Sequence, residues 1–201
     1  MIPLFSTAYF PPIDYVAALI RHSIVYIETK ETFPKQTFRN RMEIMTAGGV
    51  RALIVPVKRA NHSRTEEVTV DYSTRWPIIH LRTLEAAYAA SPFYMYYCME
   101  LGELLSRKYT SLLDLNTATT NWILEKLKVQ CKIKHFTLWD PDYPYNYRDA
   151  FSPKHKQNKP TTQEYYQVFS DRIPFSPNLS ILDLLFNLGP GALDYLHKIN
   201  G

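Results

Sequence analysis

One stretch near the C-terminus, Phe175-Ser-Pro-Asn-Leu-Ser-Ile-Leu-Asp-Leu-Leu-Phe-Asn-Leu-Gly-Pro190, limits the possible folds more than any other. It reads as a short helix with both ends specified. The Ser180 hydroxyl suits an N-cap, because it can accept from a backbone N–H that would otherwise be orphaned. Asp183 stands three residues on, at the capping-box position, and Leu179 and Leu184 have the spacing of a hydrophobic staple. Gly189 can adopt the left-handed conformation that ends a helix, and Pro190 cannot continue it. Between the caps, Ile181, Leu182, Leu184, Leu185, Phe186 and Leu188 are apolar on nearly every side, as in a helix buried all round. Only Ser180, Asp183 and Asn187 interrupt them, and their spacing puts the three on one narrow stripe. The rest of the chain must therefore wrap this helix, and the stripe must meet water, a partner group or a ligand.

The start of the chain supplies the wrapping. Leu4 to Phe10 reads as a strand, Pro11-Pro12 as a reset, 12–21 as a helix with Ile13, Val16, Ala17 and Ile20 on one face, and 23–27 as a second strand. That is a βαβ opening. Such an opening brings a strand end and a helix N-terminus together, a common place for ligands. The glycine fingerprint of a phosphate loop is missing, since Gly48 and Gly49 are the only glycines before residue 100.

Further strands are expected over 51–58, where Pro56 confines the run to an edge or bulge, over 66–71, antiparallel across the polar loop 59–65, and over 132–138. Helices are expected over 74–90, from Pro92 to about Lys108, and from a cap at Asp114 or Asn116 to near Val129. Residues 140–159 show no period and read as a long ordered loop, with Lys154-His-Lys-Gln-Asn-Lys159 as a solvated basic segment. The fold class expected is α/β: a single domain over 1–201 with a mixed sheet, a βαβ opening, flanking helices and a buried C-terminal helix.

Composition narrows the function classes. With 46% hydrophobic residues in 201, a full core needs no staples. Cys98 and Cys131 lack CxxC spacing and read as free thiols. The histidines lack metal-ligand spacing, so no metal is expected. The net charge of +4 suits an anionic ligand, but 23 basic residues scattered among 19 acidic ones make no nucleic-acid footprint. Without a long apolar run or a basic leader, no transmembrane segment or signal peptide is expected, and the expected location is cytoplasmic.

The motif Phe175-x-Pro-Asn-Leu-Ser-Ile-x-Asp-Leu-Leu-Phe-Asn-x-Gly-Pro190 resembles the C-terminal signature of the WbqC-like family, bacterial proteins linked to O-antigen and other surface-polysaccharide synthesis. Phe10-Pro-x-Ile-x-Tyr15 is similar to the family's Phe-Pro-x-x-Gly-Tyr, with Asp14 in place of the glycine. Phe5, Ser6 and Thr7 stand where the family carries Met-Gln-Pro. Lys35, Asn40 and Arg41 match the family's Phe-x-Lys-x-x-Trp-x-Asn-Arg, with Phe38 for the tryptophan, and Lys58 matches Leu-x-x-Pro-Val-Lys. Trp76-x-x-x-His80-Leu, followed by Tyr88 and Pro92, matches a further pattern, and Tyr166-Gln-x-Phe169 loosely resembles a family strand. The region around 130–165 looks shortened.

Two readings stand for each site candidate. The 32–41 loop, with Lys35, Asn40 and two arginines among aromatics, is either a solvated surface or a clamp for a phosphate, carboxylate or sugar ring. Lys58 is either a plain surface lysine or a further arm of that site. His80, on the row Trp76–His80–Leu84–Tyr88, is either a satisfied structural histidine or the general acid or base that the resemblance favours. One cleft is expected to gather Tyr9, Lys35, Asn40, Arg41 and Lys58, with Asp183 and Asn187 facing it and Asp183 accepting from Arg or Lys. The function implied is a transferase placing an acyl or aminoacyl group on a sugar in surface-polysaccharide assembly. Its expected partner is an anionic small molecule such as a nucleotide-linked sugar or acyl carrier; no cofactor or oligomeric state is assigned. The alternatives are a non-catalytic nucleotide-sugar or carbohydrate-binding protein and a scaffold subunit.

Overall fold

A computed structural model describes residues 1–153 and 163–199, so the basic segment 154–159 lies outside the described residues. Strand β1 (Leu4–Ser6) crosses through helix α1 (Ile13–Leu19) to the parallel strand β2 (Ile24–Glu28), with Leu4 opposite Tyr26 and Ser6 opposite Glu28. The βαβ opening is therefore present. The first strand is shorter than its apolar run, however, because the backbone turns at Thr7–Phe10. Tyr9 N–H donates to Phe38 O, and Phe10 takes a φ of 40°, which is unusual for a bulky residue.

The 32–41 loop leads into a hairpin of β3 (Arg41–Thr46) and β4 (Gly49–Ile54). The strand expected over 51–58 thus divides at Pro56. Its second part, β5 (Val57–Lys58), pairs antiparallel with β6 (Thr69–Val70). Helices α2 (Trp76–Tyr88), α3 (Tyr94–Ser106) and α4 (Leu112–Lys126) follow. The row Trp76–His80–Leu84–Tyr88 packs inward as its spacing predicts. Helix α4 is capped by Ser111, whose Oγ accepts from Leu113 N–H at 3.0 Å. The candidates Asp114 and Asn116 lie inside the helix, with Asn116 buried.

Strand β7 (Lys132–Phe136) adds parallel to β2, so the three-stranded sheet has the order β1-β2-β7. Parallel and antiparallel pairing therefore occupy separate sheets in this α/β fold. Residues 168–170 form a turn where the family resemblance suggests a strand.

Helix α5 (Ile181–Leu188) sits against α1, α3 and β3, with α6 (Ala192–Lys198) closing over it. Ile181, Leu182, Leu184, Leu185 and Phe186 are fully buried, each worth about 1.5–3 kcal/mol relative to exposure. Ser180 Oγ accepts from Leu182 N–H and donates to Phe10 O at 2.9 Å. Ile13 N–H to Leu179 O and Ile181 N–H to Pro11 O complete the lacing of α5 to the start of α1. One hydrophobic cluster runs from Phe5 to Leu196. No helix among the described residues is long and apolar enough to cross a membrane.

Candidate functional site

In an open parallel sheet the strand ends leave unpaired polar backbone and a crevice, and ligands settle there. In this chain that edge is filled with charge. Strand β2 ends at Glu28, which is fully buried, and the turn after it carries Glu31. Glu28 Oε1 accepts from Lys30 N–H at 2.7 Å, and Oε2 accepts from Arg148 Nη1 at 3.0 Å. Glu31 accepts from Arg39 Nε and Nη2, both at 2.7 Å, in a two-pronged pair. The two pairs are joined, since Arg39 Nη2 also reaches Arg148 O at 3.4 Å.

All four side chains are buried, which is costly for charges unless the geometry is good. The remaining donors of Arg148 are accordingly used. Arg148 Nε reaches Asn146 Oδ1, and its Nη2 reaches the carbonyls of Asp140 and Pro141. Burial pushes the Glu31 carboxyl above the usual carboxylate range. The Arg39 hydrogen bonds and charge pull it back, while Glu28 and Asp149 add to the rise. Outside this layer stands Trp139, 55% exposed, with the Arg148 guanidinium 5.1 Å from its ring centre. On the α4 side, Asn116 Nδ2 donates to Thr7 Oγ1 at 3.0 Å and to Arg39 O at 2.7 Å, tying the end of β1 to the loop that carries the arginine.

The residues singled out in the sequence fall into separate places. Tyr9, His80, Asn40 and Arg41 gather around the end of β4. Tyr9 is fully buried and so lines no open cleft; its hydroxyl meets His80 Nδ1 at 3.1 Å. His80 Nε2 meets Ile54 O at 3.2 Å. A carbonyl only accepts, so Nε2 carries the hydrogen and Nδ1 accepts from Tyr9. Burial lowers the His80 pKa to about 4, against the hydrogen bond to Ile54, so the ring is neutral at pH 7. With both nitrogens engaged and the ring sealed, the geometry is that of a structural brace.

Asn40 Nδ2 donates to Val55 O at 2.9 Å, and Arg41 pairs with Ile54 across the hairpin. Lys35 is exposed. Lys58 is also exposed, 3.5 Å from Asp71.

Asp183 and Asn187 are buried rather than facing a cleft. Asp183 accepts from Tyr88, Tyr165 and Gln167, and from no arginine or lysine among the described residues. The cation expected there is replaced by neutral donors, which satisfy the carboxylate without burying a second charge. Asn187 Nδ2 donates to Asp183 O at 2.7 Å, within its own helix.

Sequence reasoning passed over Glu28, Glu31, Arg148 and Trp139, weighed Asn116 only as a helix cap, and counted Arg39 only as one arginine of a loop. One signal was available: Glu28 ends an apolar β-branched run at the edge where α/β folds bind ligands. Cys131 lacks the setting of a nucleophile, since burial pushes its thiol up to about 11. Among the described residues no three His, Cys, Asp or Glu side chains converge on a metal position.

A family model described as the WbqC-like protein family matches residues 7–142, a span that includes Glu28, Glu31, Arg39 and Asn116. The uncharacterized protein Rv1507c of Mycobacterium tuberculosis is 27% identical over 210 aligned positions, covering 89% of this chain and 89% of the relative. No solved structure matches the chain.

Proposed function

The chain belongs to the WbqC-like protein family, and from that premise we propose that it is a sugar-modifying transferase of bacterial surface-polysaccharide assembly. It places an acyl or aminoacyl group on a sugar at the carboxyl end of the parallel sheet. The observation that carries this reading is the pair of buried Glu–Arg contacts behind the exposed Trp139 ring. An indole face suits a sugar ring or a base, and the loop that holds Arg39 also presents the exposed Lys35 to an anionic handle such as a nucleotide diphosphate or acyl carrier. Glu31 serves as the base in place of His80 once the substrate displaces one of the two Arg39 contacts that occupy its oxygens. Its raised proton affinity suits it to take the proton from an attacking hydroxyl or amine as the acyl carbon leaves its donor.

The test is a mass-spectrometric assay of nucleotide-linked amino sugars against acyl and aminoacyl donors. Wild type forms product, and Glu31→Gln loses about 100-fold or more in rate. Absence of product with every donor overturns the transferase reading. A second reading, a nucleotide-sugar-binding protein without turnover, is favoured by the mutual satisfaction of all four buried charges. It predicts binding without product.

A further inference from the structure

Below the charged layer, between the ends of β1 and β2 and helix α4, lies a cavity with room for the centre of one water-sized group, about 10 Å³. Thr7, Asn116 and Thr120 line its polar side, and Ile27 and Ile133 its apolar side. Asn116 is 1% exposed, and its amide orientation is fixed. Nδ2 must face the Arg39 carbonyl, which only accepts, and it also donates to Thr7 Oγ1. Oδ1 is then left with no partner among the described residues. A buried acceptor left in that state costs roughly 1–3 kcal/mol unless a donor fills it. Thr7 Oγ1 accepts from Asn116, and its own hydrogen finds no acceptor among the described residues. Thr120 spends its hydrogen on Asn116 O at 2.8 Å, so it offers lone pairs only.

The cavity therefore asks for a group that donates to Asn116 Oδ1 and accepts from Thr7. A hydroxyl or a neutral amine does both. A protonated ammonium has no lone pair for Thr7, and a carboxylate or phosphate oxygen has no hydrogen for Asn116. Asn116 also holds the Arg39 backbone carbonyl, so the cavity adjoins the loop that carries Arg39.

We propose that this cavity seats a non-reacting hydroxyl of the acceptor sugar, held between Asn116 Oδ1 and Thr7 Oγ1. The proposal rests on the transferase reading for its purpose. The same donor–acceptor pattern would also hold a resident water, which the test separates.

Thr7→Val keeps the side-chain shape, removes the hydroxyl and leaves Asn116 its second acceptor, the Arg39 carbonyl. Calorimetric titration compares UDP-N-acetylglucosamine with UDP on wild type and on this variant. A loss of about three- to tenfold for the sugar-bearing probe, with UDP unchanged, is expected from one hydrogen bond. Equal affinities for wild type and variant overturn the proposal, as does an equal loss for both probes. If wild type binds neither probe, the transferase reading fails by itself, and crystals soaked in methanol decide the cavity. A methanol oxygen between Asn116 and Thr7 upholds a hydroxyl seat. An unchanged water there, or an empty cavity, overturns it.

Discussion

The Tyr88 hydroxyl donates to Asp183 Oδ1 at 2.7 Å, joining α2 to α5 inside the core. The same Tyr88 oxygen accepts from Met45 N–H at 3.0 Å, so one phenol also ties in strand β3. On the other side of the carboxylate, Tyr165 and Gln167 donate to Oδ2. Gln167 in turn takes Ser176 N–H and gives to Ser176 O, both at 3.0 Å. One carboxylate thus holds the segment leading into α5, the helix itself and the α2–β3 wall in a single arrangement.

Asp183→Asn should therefore destabilise the fold although it keeps the shape. Three donors converge on two oxygens, and an amide offers one oxygen while turning an NH2 toward existing donors. The expected cost is about 1–3 kcal/mol. In a chain of this size that lowers Tm by about 2–4 °C per kcal/mol, readable by thermal denaturation. An unchanged Tm would mean that packing alone holds the segment.

The physics of this core was partly legible in the residues. Caps, staple and apolar content identify α5 as buried, and they also require the Asp183 stripe to be satisfied. They do not name the partner, because tyrosine hydroxyls leave no charge signature and Tyr88 lies far away along the chain. The βαβ opening is legible because its period changes within thirty residues or so. The pairing of β7 with β2 is not, since no local pattern encodes a parallel neighbour a hundred residues on. The site was hidden for the same reason. Arg148 meets Glu28 across most of the chain, whereas Lys35 and Lys58 drew attention as cations in family-like motifs and sit exposed.

Gly189 ends α5 with a φ of 51°, and a Cβ built there would lie 2.4 Å from Phe93 Cδ1. Phe93 cannot easily retreat, because its N–H is bound to Phe186 O at 3.0 Å. Gly189→Ala combines an unfavourable backbone with overpacking, for an expected loss of about 2–4 kcal/mol. Urea denaturation should show a lower midpoint at unchanged slope. Adding Phe93→Leu should recover the overpacking share alone; full recovery would mean that the backbone carries no strain.

His80 gives the fold an acid sensitivity. The unfolded chain protonates this ring near pH 6.5, as ordinary histidines do, and the folded chain only near pH 4. Between those values the unfolded state binds more protons, so stability falls as the pH drops from about 6.5 to about 4. The contribution is about 3 kcal/mol. His80→Gln can still donate to Ile54 O and accept from Tyr9, yet does not titrate. Its stability should change less with pH over that window, measured by chemical denaturation at stepped pH. Parallel profiles for the two proteins would place the acid sensitivity elsewhere.

The Glu31–Arg39 pair separates structural from functional reasons for burying charge. Removing Arg39 alone, as Arg39→Met, leaves a buried carboxylate whose one remaining side-chain donor among the described residues is Thr65 Oγ1 at 3.5 Å, and should cost about 3–5 kcal/mol. The double variant Glu31→Leu with Arg39→Met removes both charges of this pair and leaves neither unpaired. Since an apolar replacement of similar volume is often neutral or stabilising, it should recover most of that loss. A double-mutant cycle by denaturant unfolding measures the coupling. Strong coupling with a well-folded double variant that no longer binds or converts substrate would mean that the fold does not need this pair and the reaction does. Losses that simply add would show the two side chains acting as independent packing elements, leaving the carboxyl edge of the sheet without the functional charge pair assigned to it.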